Sequence, residues 1–203
     1  MKNIMKNTAI LTVITLVAGV LLGLVYGITK DPIALAKEKA KNEAYQTVMK
    51  EADTFDAEVV LEADKVSKLL DKKGITGCIV DEVVAAKAND EIIGYIFTVT
   101  TSEGYGGNIQ ISVGITNDST VTGIEILSIG ETAGLGMNAD TPEFKKQYAD
   151  KKVDAFVVTK TGAASENEID AISGATITSN AVTNAVNTAV ACFQEWLGGS
   201  ANE

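Results

Sequence analysis

Asp170-Ala171-Ile172-Ser173-Gly174-Ala175-Thr176-Ile177-Thr178-Ser179 is a hydroxyl-rich turn that feeds a strongly helical run, Asn180 to Leu197. Ser173, Thr176, Thr178 and Ser179 all offer oxygens, and Gly174 lacks the side chain that would keep another group off the backbone. The first N–H groups of a helix have no partner within it, and the helix dipole favours negative charge there. Such a place accepts a phosphate. The same residues suit a plain helix cap in a tight turn, because Ser and Thr are common N-caps. The residues by themselves leave both readings open.

Downstream of this turn, Val182, Val186, Val190 and Phe193 recur at helical spacing, a stripe that should pack on a sheet. Upstream, the chain reads mostly as strands. Phe55 to Glu62 is a short candidate, and Lys65 to Asp71 a brief helix. Cys78 to Lys87 and Ile92 to Thr101 flank Asn89-Asp90, which reads as a hairpin turn. Asn108 to Thr116 puts Ile109, Ile111, Val113 and Ile115 on one face. Asn117-Asp118-Ser119-Thr120 turns the chain into Val121 to Ile129, where Ile124, Ile126 and Ser128 alternate with Glu125 and Leu127. Pro142 to Tyr148 reads as a short helix and Val153 to Thr159 as another strand. Helices at the ends and strands between them predict an α+β fold, an antiparallel sheet flanked by helices.

At the N-terminus, Thr8 to Ile28 is 21 residues without a charge. As a helix this run spans about 31 Å, against a hydrocarbon core of roughly 30 Å. It therefore reads as a transmembrane helix, being longer than the apolar stretch of a secretory signal. Asp31-Pro32 reads as the start of a second helix, with Asp as N-cap and Pro at the first helical position. Ile33, Ala36, Ala40, Ala44 and Val48 give that helix a narrow face suited to close packing on the following domain.

Composition removes several kinds of chemistry. All 17 basic residues are Lys, and there is no Arg and no His. Without Arg the usual bidentate phosphate clamp is missing, so a phosphate must rely on backbone N–H groups, hydroxyls or Lys. Without His, triad-type nucleophiles and most zinc or haem ligation are excluded. The net charge of −10 argues against nucleic acid as a partner. Beyond the apolar run, 15 Lys face 27 acidic residues, a net −12. Cys78 and Cys192 are far apart and lack metal-ligand spacing, so each reads as a small core residue.

Asp170-x-x-Ser173-Gly174-Ala175-Thr176-x-Thr178 resembles the flavinylation motif D-x-x-[ST]-G-A-[ST]-x-T. That motif marks the FMN-binding domains of RnfG, from the Rnf electron-transport complex, and of NqrC, from the sodium-pumping NADH:quinone reductase. The resemblance implies FMN joined through its phosphate to Thr178 by a dedicated flavin transferase, with the isoalloxazine left free. Ser173, Gly174, Ala175 and Thr176 would then surround the attachment point. Glu131-Thr132-Ala133-Gly134-Leu135-Gly136 resembles the family's E-T-P-G-L-G loop, with Ala133 in place of Pro. By that likeness Glu131 and Thr132 make polar contacts, Leu135 an apolar one, and Gly134 lets the backbone come close to the cofactor. Gly104-Tyr105-Gly106-Gly107-Asn108 is similar to the family's G-Y-x-G-x-I element. We read it as a glycine turn that starts the strand through Ile109, with a ring contact from Tyr105 as the lesser alternative.

The chain thus reads as a tail over 1–7, a transmembrane helix over 8–29, a linker helix over 30–53 and a domain over 54–203, which the resemblance implies binds FMN. The resemblance implies a redox subunit of an ion-translocating ferredoxin:NAD oxidoreductase, with no metal and no catalytic side chain of its own. Its partners would be the membrane, the other subunits of the Rnf complex and the transferase. An NqrC-type component of the quinone reductase and a stand-alone membrane-tethered FMN domain are the alternatives. The Lys count around the span slightly favours a cytoplasmic domain, whereas the resemblance implies an extracytoplasmic one; the family expectation is the one adopted.

Overall fold

The computed structural model of the chain describes residues 1–198. The chain forms two units, Met1–Lys41 and Asn42–Glu203.

The first unit is helical. It belongs to α1 (Lys2–Val48), and its apolar window has nothing buried within the protein. Thr12, Thr15 and Thr29 donate their hydroxyls to the carbonyls of Thr8, Leu11 and Val25, four residues back. Their polar groups are thereby satisfied inside the helix, as an apolar surrounding requires. The sequence predicts a new helix at Asp31-Pro32; α1 instead continues through Pro32. Pro has no N–H to give to the preceding turn, a loss of roughly 3 kcal/mol in a helix interior. The Ala-, Leu- and Lys-rich stretch that follows consists of strong helix formers and carries the helix onward. Ala44 and Val48, which belong to the second unit, are buried there as the predicted packing face requires.

The second unit is built on five antiparallel strands, β1 (Thr54–Glu58), β2 (Cys78–Ala88), β3 (Glu91–Thr101), β4 (Ile109–Thr116) and β5 (Val121–Ile129), paired in sequence order. Asn89 and Asp90 both take positive φ, 51° and 64°, which is the backbone a two-residue hairpin turn needs. One face of the sheet carries Phe97, Val99, Ile109, Ile111, Val113 and Ile115. These pack with α2 (Ala63–Lys73) and α4 (Thr176–Trp196), where Val182, Val186, Val190 and Phe193 form the predicted buried stripe. Each large apolar side chain so buried contributes about 1.5–3 kcal/mol. On the other face, Tyr45, Val48, Met49 and Ala52 pack on Val84, Ala86 and Ile96. Gly114 lets that layer lie close, since a Cβ there would come within 2.7 Å of the Val48 carbonyl oxygen.

Three local details differ from expectation. In β5 the register shifts between the pairs Gln110↔Ser128 and Ile111↔Ile126, leaving Leu127 as an extra residue. The bulge reverses the alternation, so Ile129 joins the core and Ser128 is exposed. The strand expected over Val153–Thr159 shrinks to β6 (Val157–Thr159). Asn187 explains this: its side chain accepts from Phe156 N–H at 2.7 Å and donates to the Phe156 carbonyl at 2.9 Å, occupying the groups a ladder would use. β6 pairs in parallel with a strand that was not expected, β7 (Glu168–Asp170).

Between β5 and β6 lie a tight turn over Gly136–Asp140, the short α3 (Pro142–Lys145) and another turn to Tyr148. Cys192 is buried and Cys78 partly so, and both are free thiols. Burial pushes Cys192 up to about 12, the behaviour of a core residue.

Candidate functional site

The hydroxyl-rich stretch connects β7 directly to α4. Gly174 has φ +76°, and Ala175 N–H donates to the Ile172 carbonyl at 2.9 Å, closing a turn. α4 starts at Thr176, four residues before the predicted Asn180. Ser179 N–H donates to the Ala175 carbonyl at 3.0 Å, the first bond of the helix. The Ser179 hydroxyl accepts from Ile172 N–H at 2.9 Å and donates to the Ala175 carbonyl at 3.0 Å. Ser179 is therefore a buried staple across the turn, with its oxygen fully engaged.

Thr178 lies in the first turn of α4 and is 1% exposed. Thr183 and Thr188, further along α4, donate to carbonyls four residues back. Thr178 is too near the start of the helix for that, and among the described residues its hydroxyl makes no hydrogen bond. Ala175 provides no side-chain cap, and no acidic residue occupies the first turn. The N–H groups of Thr176, Ile177 and Thr178 are thus left without partners from the helix.

A cavity of about 550 Å³ opens onto this helix start. Gly174, Ala175, Thr176, Ile177 and Thr178 form one wall, and Glu131, Thr132, Leu135 and Gly136 the other, with Tyr105 at the rim. The three separated glycine-containing stretches of the sequence therefore meet at one place. Of the predicted site residues, Ser173 and Gly134 do not line the cavity. Ser173 is exposed in the turn, and Gly134, with φ +76°, shapes the loop behind Leu135. Ile177 and Gly136 do line it. Gly136 was legible only as part of its loop. Ile177 had no signal beyond its place between Thr176 and Thr178.

Glu131 ties the walls together. It is 8% exposed, and its Oε1 accepts from Gly106 N–H at 3.1 Å. A Cβ on Gly136 would lie 2.5 Å from Glu131 Oε2 and 2.7 Å from Thr178 Oγ1, so only glycine fits between them. The Glu131 loop is held from below by Lys145. Its ammonium donates to Glu125 on β5 at 2.6 Å and to Asp140 at 3.0 Å. Burial alone would pull Lys145 down, but the two carboxylates outweigh it and leave its pKa above the ordinary lysine value.

The cavity fits a flavin mononucleotide. Its volume is in the usual range for a ligand of that class. The unpartnered N–H groups and helix dipole suit a phosphate, and among the described residues no cationic side chain lines the cavity. Tyr105, Leu135 and Ile177 are 75%, 44% and 54% exposed, an apolar collar suited to a planar ring. Among the described residues there is no cluster of His, Cys, Asp and Glu able to hold a metal ion.

The FMN-binding domain family matches residues 104–191, a range that contains all three converging stretches. Fold and site thus define an FMN-binding domain carried behind an apolar N-terminal helix. The RnfG N-terminal region matches residues 1–48. The chain is 36% identical to the G subunit of the proton-translocating ferredoxin:NAD(+) oxidoreductase complex of Clostridium ljungdahlii, over 97% of this chain and 95% of that one. It is 33% identical to the G subunit of the Na(+)-translocating complex of Acetobacterium woodii, over 95% and 93%. Among solved structures, the NqrC of Shewanella oneidensis aligns over 72% of this chain and 70% of that one, with 19% identity and a TM-score of 0.48. The chain belongs to the RnfG family, the G subunits of the ion-translocating oxidoreductase complexes.

Proposed function

We propose that this chain is a membrane-anchored electron carrier whose FMN is esterified through its phosphate to Thr178. The observation that carries this reading is the placement of the Thr178 hydroxyl. It lies at an uncapped helix start, without a hydrogen bond among the described residues, inside a cavity that the Glu131–Gly136 and Gly104–Gly107 loops complete. The α4 N–H groups would hold the phosphodiester, a charge–dipole contact worth about 0.3–2 kcal/mol. Thr132 and Thr176 would add polar contacts, with Ser173 and Gly174 shaping the turn beside them. Leu135, Ile177 and Tyr105 would hold the ring. Gly134 and Ala175 would keep the backbone close. Bound FMN supplies the electron-transfer chemistry, and the chain supplies position, orientation and attachment.

The partners would be the other redox and membrane subunits of a ferredoxin:NAD oxidoreductase complex, together with a flavin transferase for maturation. A place in that complex is favoured over an NqrC-type place in the quinone reductase by the match of residues 1–48 to the RnfG N-terminal region. Residues 8–29 would span the membrane between a tail over 1–7 and a linker from 30, with the flavin domain on the extracytoplasmic side. The compact unit already begins at Asn42, so the last turns of α1 travel with that domain.

Denaturing electrophoresis under ultraviolet light tests the attachment. The wild-type band should fluoresce, Thr178→Ala should lose the signal, and Thr176→Ala should keep some of it. Fluorescence retained by Thr178→Ala would refute the assignment.

A further inference from the structure

Glu131 is an awkward neighbour for a phosphodiester. A carboxylate buried beside a second anion is repelled by it, most strongly where water is scarce. The Oε2 atom and Thr178 Oγ1 nevertheless flank the same small space at Gly136, 2.5 and 2.7 Å from the point where a Cβ would be. The oxygens are thus within reach of each other through one water, a geometry open to a general base. Oε1 is held by Gly106 N–H, which fixes the carboxylate and leaves Oε2 for Thr178. Among the described residues no hydrogen bond of the Thr178 hydroxyl competes for its proton. The other titratable side chain of the cavity, Tyr105, stands at the exposed rim.

From this juxtaposition of Glu131 Oε2 and the unpartnered Thr178 hydroxyl, we infer that Glu131 is the base that activates Thr178 for its own modification. The inference rests on the esterification proposed above. An alcohol forms a phosphodiester readily only from an activated phosphate, so the donor is a flavin phosphoanhydride. Thr178 Oγ attacks the flavin-bearing phosphorus, and the Oγ–H proton passes to Glu131. The O–P ester bond forms, and the anhydride P–O bond breaks. The second phosphate leaves with the bonding pair, and nothing is oxidised or reduced.

The test is the rate of FMN loading by intact mass, using the full-length chain in detergent with the transferase and flavin adenine dinucleotide as donor. Glu131→Gln keeps an acceptor for Gly106 but cannot take the proton. It should load about 100-fold more slowly at saturating donor, in line with the usual contribution of a general base, with an unchanged melting temperature. Glu131→Asp keeps a carboxylate and should load faster than Glu131→Gln yet more slowly than wild type. A folded Glu131→Gln chain that loads within twofold of wild type would overturn the inference. If Glu131→Gln does not fold, Glu131→Asp decides: loading severalfold slower supports the role, and loading at the wild-type rate overturns it. Wild type that gains no FMN on Thr178 would overturn the esterification itself, a separate outcome from a wild type that loads and a Glu131→Gln variant that matches it.

Discussion

Thr178 and Ser179 are neighbours with the same functional group and different environments. The Ser179 oxygen is used twice within the turn, whereas the Thr178 oxygen is used by nothing among the described residues. Ser112 offers a contrast of another kind. Its hydroxyl is fully buried in β4 and has no hydrogen-bond partner among the described residues. A buried unpaired hydroxyl costs about 1–3 kcal/mol, and Ser112 is not among the residues that line the cavity. Ser112→Ala should therefore raise stability by about 1 kcal/mol in chemical denaturation while leaving FMN loading unchanged. A loss of stability of that size would mean that the hydroxyl has a partner in solution. At this scale the sequence was informative about residue types and less so about which oxygen is free. Four hydroxyls in one turn look alike until the helix start is placed, and the hydroxyl and glycine content of the stretch made that start read as turn.

The elements that build the cavity meet because α4 begins four residues earlier than the helical run expected from Asn180, and because the turn after β5 is pinned in place. Lys145 does the pinning through Glu125 and Asp140. Lys145→Met should cost about 1 kcal/mol near neutral pH, as expected for a half-buried pair of hydrogen-bonded carboxylates losing their cation. The pH dependence has a definite sign. Folding raises the lysine pKa, so its contribution is fully present below the ordinary lysine value and is lost as pH rises through the raised one. The gap between wild type and Lys145→Met should therefore be flat from about pH 6 to 9 and close only in strong alkali. A gap that closes toward acid while the carboxylates are still charged would contradict this.

The hairpins and the α4 stripe were legible because period-2 and helical patterns are local. The Leu127 bulge, the β6–β7 pairing and the run of α1 through Pro32 were not. Each depends on a partner distant in sequence, such as Asn187 on Phe156, or on helix continuity overriding one missing N–H.

For the whole molecule, the apolar N-terminal helix, an acidic domain and one flavin would together make a tethered carrier. Tethering fixes the effective concentration of the flavin near neighbouring redox groups. The domain carries its net −12 charge to whichever side it occupies, and the lysines around the span do not decide that side. Protease added to intact, outer-membrane-stripped or wall-less cells should digest the domain beyond residue 42; protection until lysis would place it in the cytoplasm. Attachment at Thr178 is tested most directly by the intact mass of the chain purified from its native membrane, followed by peptide mapping. The expected result is one added FMN less one water, confined to the peptide that contains Thr178. An unmodified mass, or the same increment on another residue, would contradict it.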